Sequence, residues 1–127
     1  MIDALFNSPT YVATKKMLDV TALRAEAISS NLANVSRPNY KRVDLAPGFD
    51  AEMRNAVQNG GPEAIRSLTP RLAIDETAVA SDRDGNSVQM EDELLAMNEN
   101  SLAHATETQL MTGAMLRLRL AITGRPS

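Results

Sequence analysis

The chain contains no cysteine and no tryptophan, a single histidine, and only four aromatic residues: Phe6, Tyr11, Tyr40 and Phe49. Without cysteine there is no disulfide framework and no thiolate chemistry, and this absence fits reducing and oxidising compartments equally. A lone His104 lacks the second imidazole or thiolate that a protein metal site needs. No excess of basic charge exists either. The net charge is −3 and the pI about 5.1, so nothing invites nucleic acid or an anionic membrane surface. No stretch approaches the roughly 20 apolar residues of a membrane span. The segment Met1 to Phe6 carries no basic n-region and no long apolar run, so a cleaved secretory signal is not expected.

What is present is helical material. The apolar fraction is 43% of 127 residues, supplied by seven Met and many Ala and Leu. Small and flexible apolar side chains suit close helix–helix contact. Ser8 is a fitting N-cap and Pro9 a fitting first helical residue, and helical character runs to about Asn34 before Pro38 ends it. On a wheel of 100° per residue, Met17, Leu18, Ala22, Ala25, Ile28 and Leu32 share one arc with Val20 at its edge. Lys15, Asp19 and Glu26 lie opposite.

A second helix is expected over residues 88–122. Asn86 and Gln89 have the spacing of a capping box, and Glu91, Asp92 and Glu93 suit the positive end of the helix dipole. Arg117 and Arg119 occupy the last turns, with Gly124 and Pro126 as stop signals. Met90, Leu94, Met97, Ser101, His104, Thr108, Met111, Met115, Leu118 and Ile122 alternate four and three apart, a seven-residue repeat that marks a seam against another helix. The first helix offers a shorter match in Tyr11, Leu18, Ala22, Ala25, Ser29 and Leu32. Ser101, His104 and Thr108 form a polar layer in that seam, of the kind that fixes register. At 1.5 Å per residue the second helix is roughly 50 Å long. A compact domain of this size is only about 36 Å across, so part of the seam must be covered from outside the chain.

The expected fold class is therefore mainly α. Two long terminal helices pack as a coiled-coil-like pair or a bundle around an irregular middle. The unit divides into residues 1–43, 44–87 and 88–127. The middle carries turn signals at Asn59-Gly60-Gly61-Pro62, Thr69-Pro70 and Asp82 to Asn86. It reads as a mostly exposed insert, with a helical turn or two at Ala51–Val57 and a weak strand at Arg71–Ile74.

Candidate chemistry is thin. Asp82, Asp84, Asn86 and Glu93 match positions of a calcium loop, but Ser87 stands where the loop requires glycine, and helix capping explains the same residues. No serine lies in a nucleophile-elbow context. Asn34-Val35-Ser36 matches a glycosylation sequon, a tripeptide frequent by chance. No catalytic group, metal or cofactor is expected.

One run stands apart: Ser30, Asn31, Leu32, Ala33 and Asn34 lead into Pro38, Asn39, Tyr40 and Lys41. Pro38 and Asn39 suit the central positions of a type II turn, because Asn tolerates positive φ. This run resembles the signature of the flagellar basal-body rod and hook family. Val35 replaces a usual Ala, Arg37 a usual Thr, and Asn39 the usual Gly. Asp84 to Val88, Glu91, Glu93, Leu94, Glu99 to Leu102, Leu110, Gly113 and Leu118 to Ile122 are similar to the short proximal rod members of that family. His104 stands where members often carry an aromatic.

The resemblance implies a non-enzymatic structural subunit of the proximal rod, exported by the flagellar type III apparatus without a cleaved signal. Its implied partners are copies of itself, other rod proteins, the adapter subunit at the membrane ring and the export apparatus. Neither nucleic acid nor membrane insertion is implied. The alternative is a soluble helical-hairpin adapter or export chaperone holding one partner.

Overall fold

A computed structural model of the chain describes residues 2–124. Its elements are helix α1 (Ile2–Phe6), helix α2 (Pro9–Ala33), strand β1 (Val43–Leu45), helix α3 (Phe49–Asn55), a π-helical turn (Ala56–Gly60), helix α4 (Gly61–Ser67), strand β2 (Leu72–Ile74) and helix α5 (Met90–Thr123). The fold is mainly helical with two long end helices, as the periodicity indicates.

Helix α2 starts as its sequence dictates. Ser8 Oγ accepts the Tyr11 N–H at 3.2 Å, and Pro9 occupies the first turn. Phe6 packs edge-on against Tyr11 with ring centroids 5.2 Å apart, which ties α1 to α2. At the far end, Asn34 Nδ2 donates to the Ser30 carbonyl at 2.7 Å and the helix stops.

Helix α5 runs antiparallel to α2, with Glu93 beside Asn31 and Glu107 beside Thr21. Gly124 closes it at φ 62°, its N–H reaching the Leu120 carbonyl at 2.8 Å. The expected Pro126 stop lies outside the described residues. The expected capping box does not form. The N-cap is Gln89, which makes no side-chain cap bond, and Asn86 is engaged elsewhere, so the helix begins at Met90 rather than at residue 88.

The middle segment is less exposed than its turn signals suggest. Phe49, Met53, Ala56 and Ile65 join Val12 and Val20 in the buried core, with Met17, Leu45 and Leu68 packed against them. Residues 49, 53 and 56 repeat at helical spacing, so one face of a short helix closes on α2. The Asn59-Gly60-Gly61-Pro62 cluster bends the chain between two short helices instead of forming a loop. Gly61 takes φ 71°, which a residue with a side chain resists. Strands β1 and β2 pair antiparallel in the register Val43↔Ile74, Asp44↔Ala73 and Leu45↔Leu72. The strand expected at Arg71–Ile74 is thus present as Leu72–Ile74.

Over the first half of α5 the contact with α2 follows a heptad one residue out of phase with the apolar series, and at Met111 and Leu118 it rejoins that series. Buried on α5 are Glu93, Asn100 and Glu107, seven apart. Met90, Leu94, Met97, Ser101, His104, Thr108, Met115 and Ile122 are exposed, while Met111 and Leu118 are half-buried. On α2, Ala22 and Ala25 are exposed and Leu18 and Leu32 half-buried, whereas Val20, Thr21, Ala27, Ile28 and Asn31 are buried. One residue is 100° of helix rotation, so Met90, Leu94, Met97, Met115 and Ile122 of the apolar stripe turn away from their own chain, while Met111 and Leu118 remain partly covered.

Candidate functional site

The family-like motif folds into a polar clasp that fastens the end of α2 to the start of α5. Asn31, on the last turns of α2, has no exposed surface. Its Nδ2 donates to the Val43 carbonyl at 2.8 Å and to Glu93 Oε2 at 3.2 Å, and its Oδ1 accepts the Val43 N–H at 3.0 Å. The amide therefore pairs with β1 as another strand residue would. Tyr40 OH donates to Asn31 Oδ1 at 3.3 Å and lies 3.1 Å from Ser30 Oγ.

Between these groups the chain reverses through Arg37–Tyr40, closed by the Tyr40 N–H on the Arg37 carbonyl at 3.3 Å. Asn39 holds φ 61°, the positive value expected at that turn position. Its N–H donates to the Asp84 carbonyl at 2.8 Å, and its side chain lies against Gly85, where a Cβ would collide with Asn39 Oδ1. Lys41 Nζ approaches the Gly85 carbonyl at 3.5 Å. Leu32 is half-buried beside this turn, while Ala33 and Pro38 are exposed.

Asn86 completes the turn. Its Nδ2 sits 2.9, 3.2 and 2.7 Å from the carbonyls of Asn34, Val35 and Arg37, and its Oδ1 accepts the Val88 N–H at 2.7 Å. One buried amide thus satisfies carbonyls left free where α2 ends and directs the chain into α5. Both ends of that amide are consumed, and Glu93 is turned toward Arg42 and Asn31, so the calcium-loop residues do not converge on a shared centre.

Charge sits at the heart of the clasp. Glu93 is fully buried and receives Arg42 Nε on Oε1. The Arg42 Nη1 reaches Asp44 Oδ2 at 2.9 Å and Asp75 Oδ2 at 2.8 Å. Burial opposes the Arg42 charge, but hydrogen bonds to Glu93 and Asp44 outweigh it and push its pKa above the ordinary value. The Asp75 carboxyl is held below its ordinary value, chiefly by the Thr77 hydroxyl at 2.5 Å; burial opposes this, and the Thr77 N–H and Arg42 reinforce it.

A second polar layer lies two heptads along α5. Thr21 Oγ1 donates to Glu107 Oε2 at 3.0 Å and lies 3.2 Å from His104 Nδ1, while Asn100 Nδ2 donates to the Thr21 carbonyl at 2.8 Å. His104 therefore meets the facing helix of its own chain. Ser101 and Thr108 do not join this layer; both are exposed, and Thr108 Oγ1 turns back to the His104 carbonyl at 2.8 Å.

The motif thus gathers Ser30, Asn31, Asn34, Asn39, Tyr40 and Lys41 around one turn. Arg42, Asp75 and Thr21 were absent from the sequence reading, and Glu93 and Asn86 entered it in other roles. A signal for Arg42 and Glu93 existed only in their position flanking the motif and the start of α5. Among the described residues, no helix is long and apolar enough to cross a membrane.

A hairpin of long helices, locked by buried amides and a buried ion pair and leaving most of its apolar stripe outside, defines a helical building block. No protein-family model matches the sequence. Relatives do. The chain is 30% identical over 113 residues to the flagellar basal body rod protein FlgB of Aquifex aeolicus, covering 87% of this chain and 90% of that protein. It is 30% identical over 112 residues to FlgB of Cereibacter sphaeroides, covering 80% and 84% of the two chains. With FlgB of Aeromonas hydrophila the identity is 29% over 117 residues, covering 84% and 87%. The chain belongs to the FlgB family of flagellar basal body rod proteins, structural subunits of the rod.

Proposed function

We propose that the chain is a proximal rod subunit that polymerises through its terminal helices to help form the drive shaft of motility, and that it catalyses no reaction. One observation carries this reading beyond the family itself. The apolar residues of α5 at Met90, Leu94, Met97, Met115 and Ile122 are uncovered by the chain, with Met90 48% and Ile122 63% exposed. Faces of this kind on a folded protein mark surfaces that another chain covers.

The occupants are copies of the chain, neighbouring rod proteins and the adapter subunit at the membrane ring, reached after export through the flagellar type III apparatus. The residues that make the contact are Met90, Leu94, Met97, Met111, Met115, Leu118 and Ile122 on α5, with Leu18, Ala22, Ala25 and Leu32 on α2. The clasp formed by the family motif sets the angle at which α2 and α5 present these stripes. The adapter or chaperone alternative is not favoured, because the relatives are rod proteins.

The test is complementation of a strain lacking the gene. Basal bodies purified from the complemented strain are expected to contain the chain. Leu94→Glu is expected to yield folded protein that is not incorporated, since assembly would bury a charge. Motility in the uncomplemented strain, or basal bodies free of the chain, would overturn the reading.

A further inference from the structure

Helix α1 folds back against the stretch of α5 where the apolar stripe is half-covered. Leu5 and Tyr11 share a cleft of about 90 Å3 with Thr14, Leu110, Met111 and Ala114. Met111 and Ala114 are half-buried here, whereas Leu94 and Met97, nearer the start of the same helix, are exposed. The cover is lightly held. Five residues are too few to sustain a helix by themselves. Ile2, Asp3 and Ala4 are exposed, and Leu5 and Phe6 only half-buried. What keeps α1 in place gathers at its last turn. Arg66 Nη2, from α4, donates to the Phe6 carbonyl at 2.9 Å and to Asn7 Oδ1 at 2.6 Å, and the Phe6 ring meets Tyr11 edge-on. An element with so few buried contacts opens at low free energy.

The joint is fixed by the sequence. Asn7 and Ser8 separate α1 from α2, and Ser8 is extended at φ −66° and ψ 136°. Pro9 keeps the two helices from merging into one. Inside a continuous helix its ring would meet the Leu5 carbonyl, and its nitrogen has no hydrogen to give that oxygen. The Leu5 carbonyl accepts the Ser8 N–H at 3.1 Å instead. Helix α1 is therefore a separate piece that turns about Asn7 and Ser8 without disturbing the cap of α2.

We propose that α1 is a hinged strap, which shields the Met111 part of the α5 stripe while the chain is alone and swings out when another chain takes that stripe. This rests on the rod-subunit reading and gives the subunit a guard against premature association. Because the chain has no cysteine, an engineered pair can be joined without background. In the purified full chain, Leu5→Cys and Ala114→Cys are joined by a short reducible bis-maleimide, and association is followed by sedimentation velocity over a concentration series. The linked chain is expected to need a several-fold higher concentration to associate than the same chain capped with N-ethylmaleimide. Cleaving the linker is expected to restore association. Arg66→Ala, which frees the Phe6 carbonyl and Asn7, is expected to associate at a several-fold lower concentration than the wild type, and Phe6→Ala to act in the same direction. Arg66 is exposed, so folding is preserved. Linked and capped chains that associate alike, or loosened variants that associate no more readily than the wild type, would overturn the strap. So would a linker that fails to join the pair in the monomer. Each of these results leaves the rod reading standing, because that is decided by whether basal bodies contain the chain. Basal bodies that never contain it would remove the rod reading, and with it the partner for which the strap opens.

Discussion

Arg42 on the strand side and Glu93 on the first turn of α5 form an ion pair in which the carboxylate is wholly buried and also accepts from Asn31. Removing one partner of such a pair leaves an uncompensated charge, whereas replacing both with apolar residues does not. Arg42→Met and Glu93→Leu, each alone, are therefore expected to lower unfolding free energy by about 3–5 kcal/mol. Arg42→Met with Glu93→Leu is expected to lose much less than the two single changes added together. Urea denaturation of the four proteins measures the coupling; additive losses would show that the pair is not the element holding the clasp.

Asp75 gives the clasp an acid limit. Its folded-state value lies below the ordinary 3.8, so its contribution is fully present above the unfolded value and is lost as pH falls through the folded one. Arg42, raised above its ordinary value, stays charged throughout this range. Thermal melts from pH 7 down to pH 3 are expected to fall on the acid side. Asp75→Asn should begin lower and flatten part of that fall. An identical acid limb in the variant would assign the loss to other carboxylates.

The turn at Asn39 makes a graded prediction. A β-branched residue at φ 61° is strained, by roughly 1–2 kcal/mol. Asn39→Gly should retain a native melting curve and Asn39→Val should not. Gly85 adds a second test, because its missing Cβ is the space that Asn39 occupies. Gly85→Ala should be less damaging in the Asn39→Gly background than in the wild type. Equal costs in both backgrounds would mean that its own positive φ, and not the contact, accounts for the damage.

Thr21 is expected to matter more than His104. Its hydroxyl serves the nearly buried Glu107 as well as the imidazole, whereas His104 is exposed. Thr21→Val should cost about 1–3 kcal/mol by leaving a buried acceptor unpaired. His104→Gln, which keeps a polar group in reach, should cost under half as much by the same denaturation measurement. The reverse order would move the register role to His104.

Several features were legible in the sequence because their physics is local. Ser8-Pro9 starts a helix through one hydroxyl and one fixed φ, Gly124 ends one, and Asn39 adopts the left-handed turn because few other side chains tolerate it. The seven-residue spacing of α5 was legible as well, since it depends only on the helical repeat.

Which face of that repeat would point inward was decided elsewhere. Hydrophobicity selects the stripe of Leu94, Met97 and Met115, yet the chain buries Glu93, Asn100 and Glu107. Polar residues are buried there only because Asn31, Arg42 and Thr21 arrive opposite them. Those partners lie 62, 51 and 86 residues away along the chain. The sequence by itself determined that the ends are long helices, how they start and stop, and that the second carries an apolar stripe at seven-residue spacing. Only the tertiary structure decided that the stripe faces outward, because the burial of a charge depends on its partners and not on its own hydropathy.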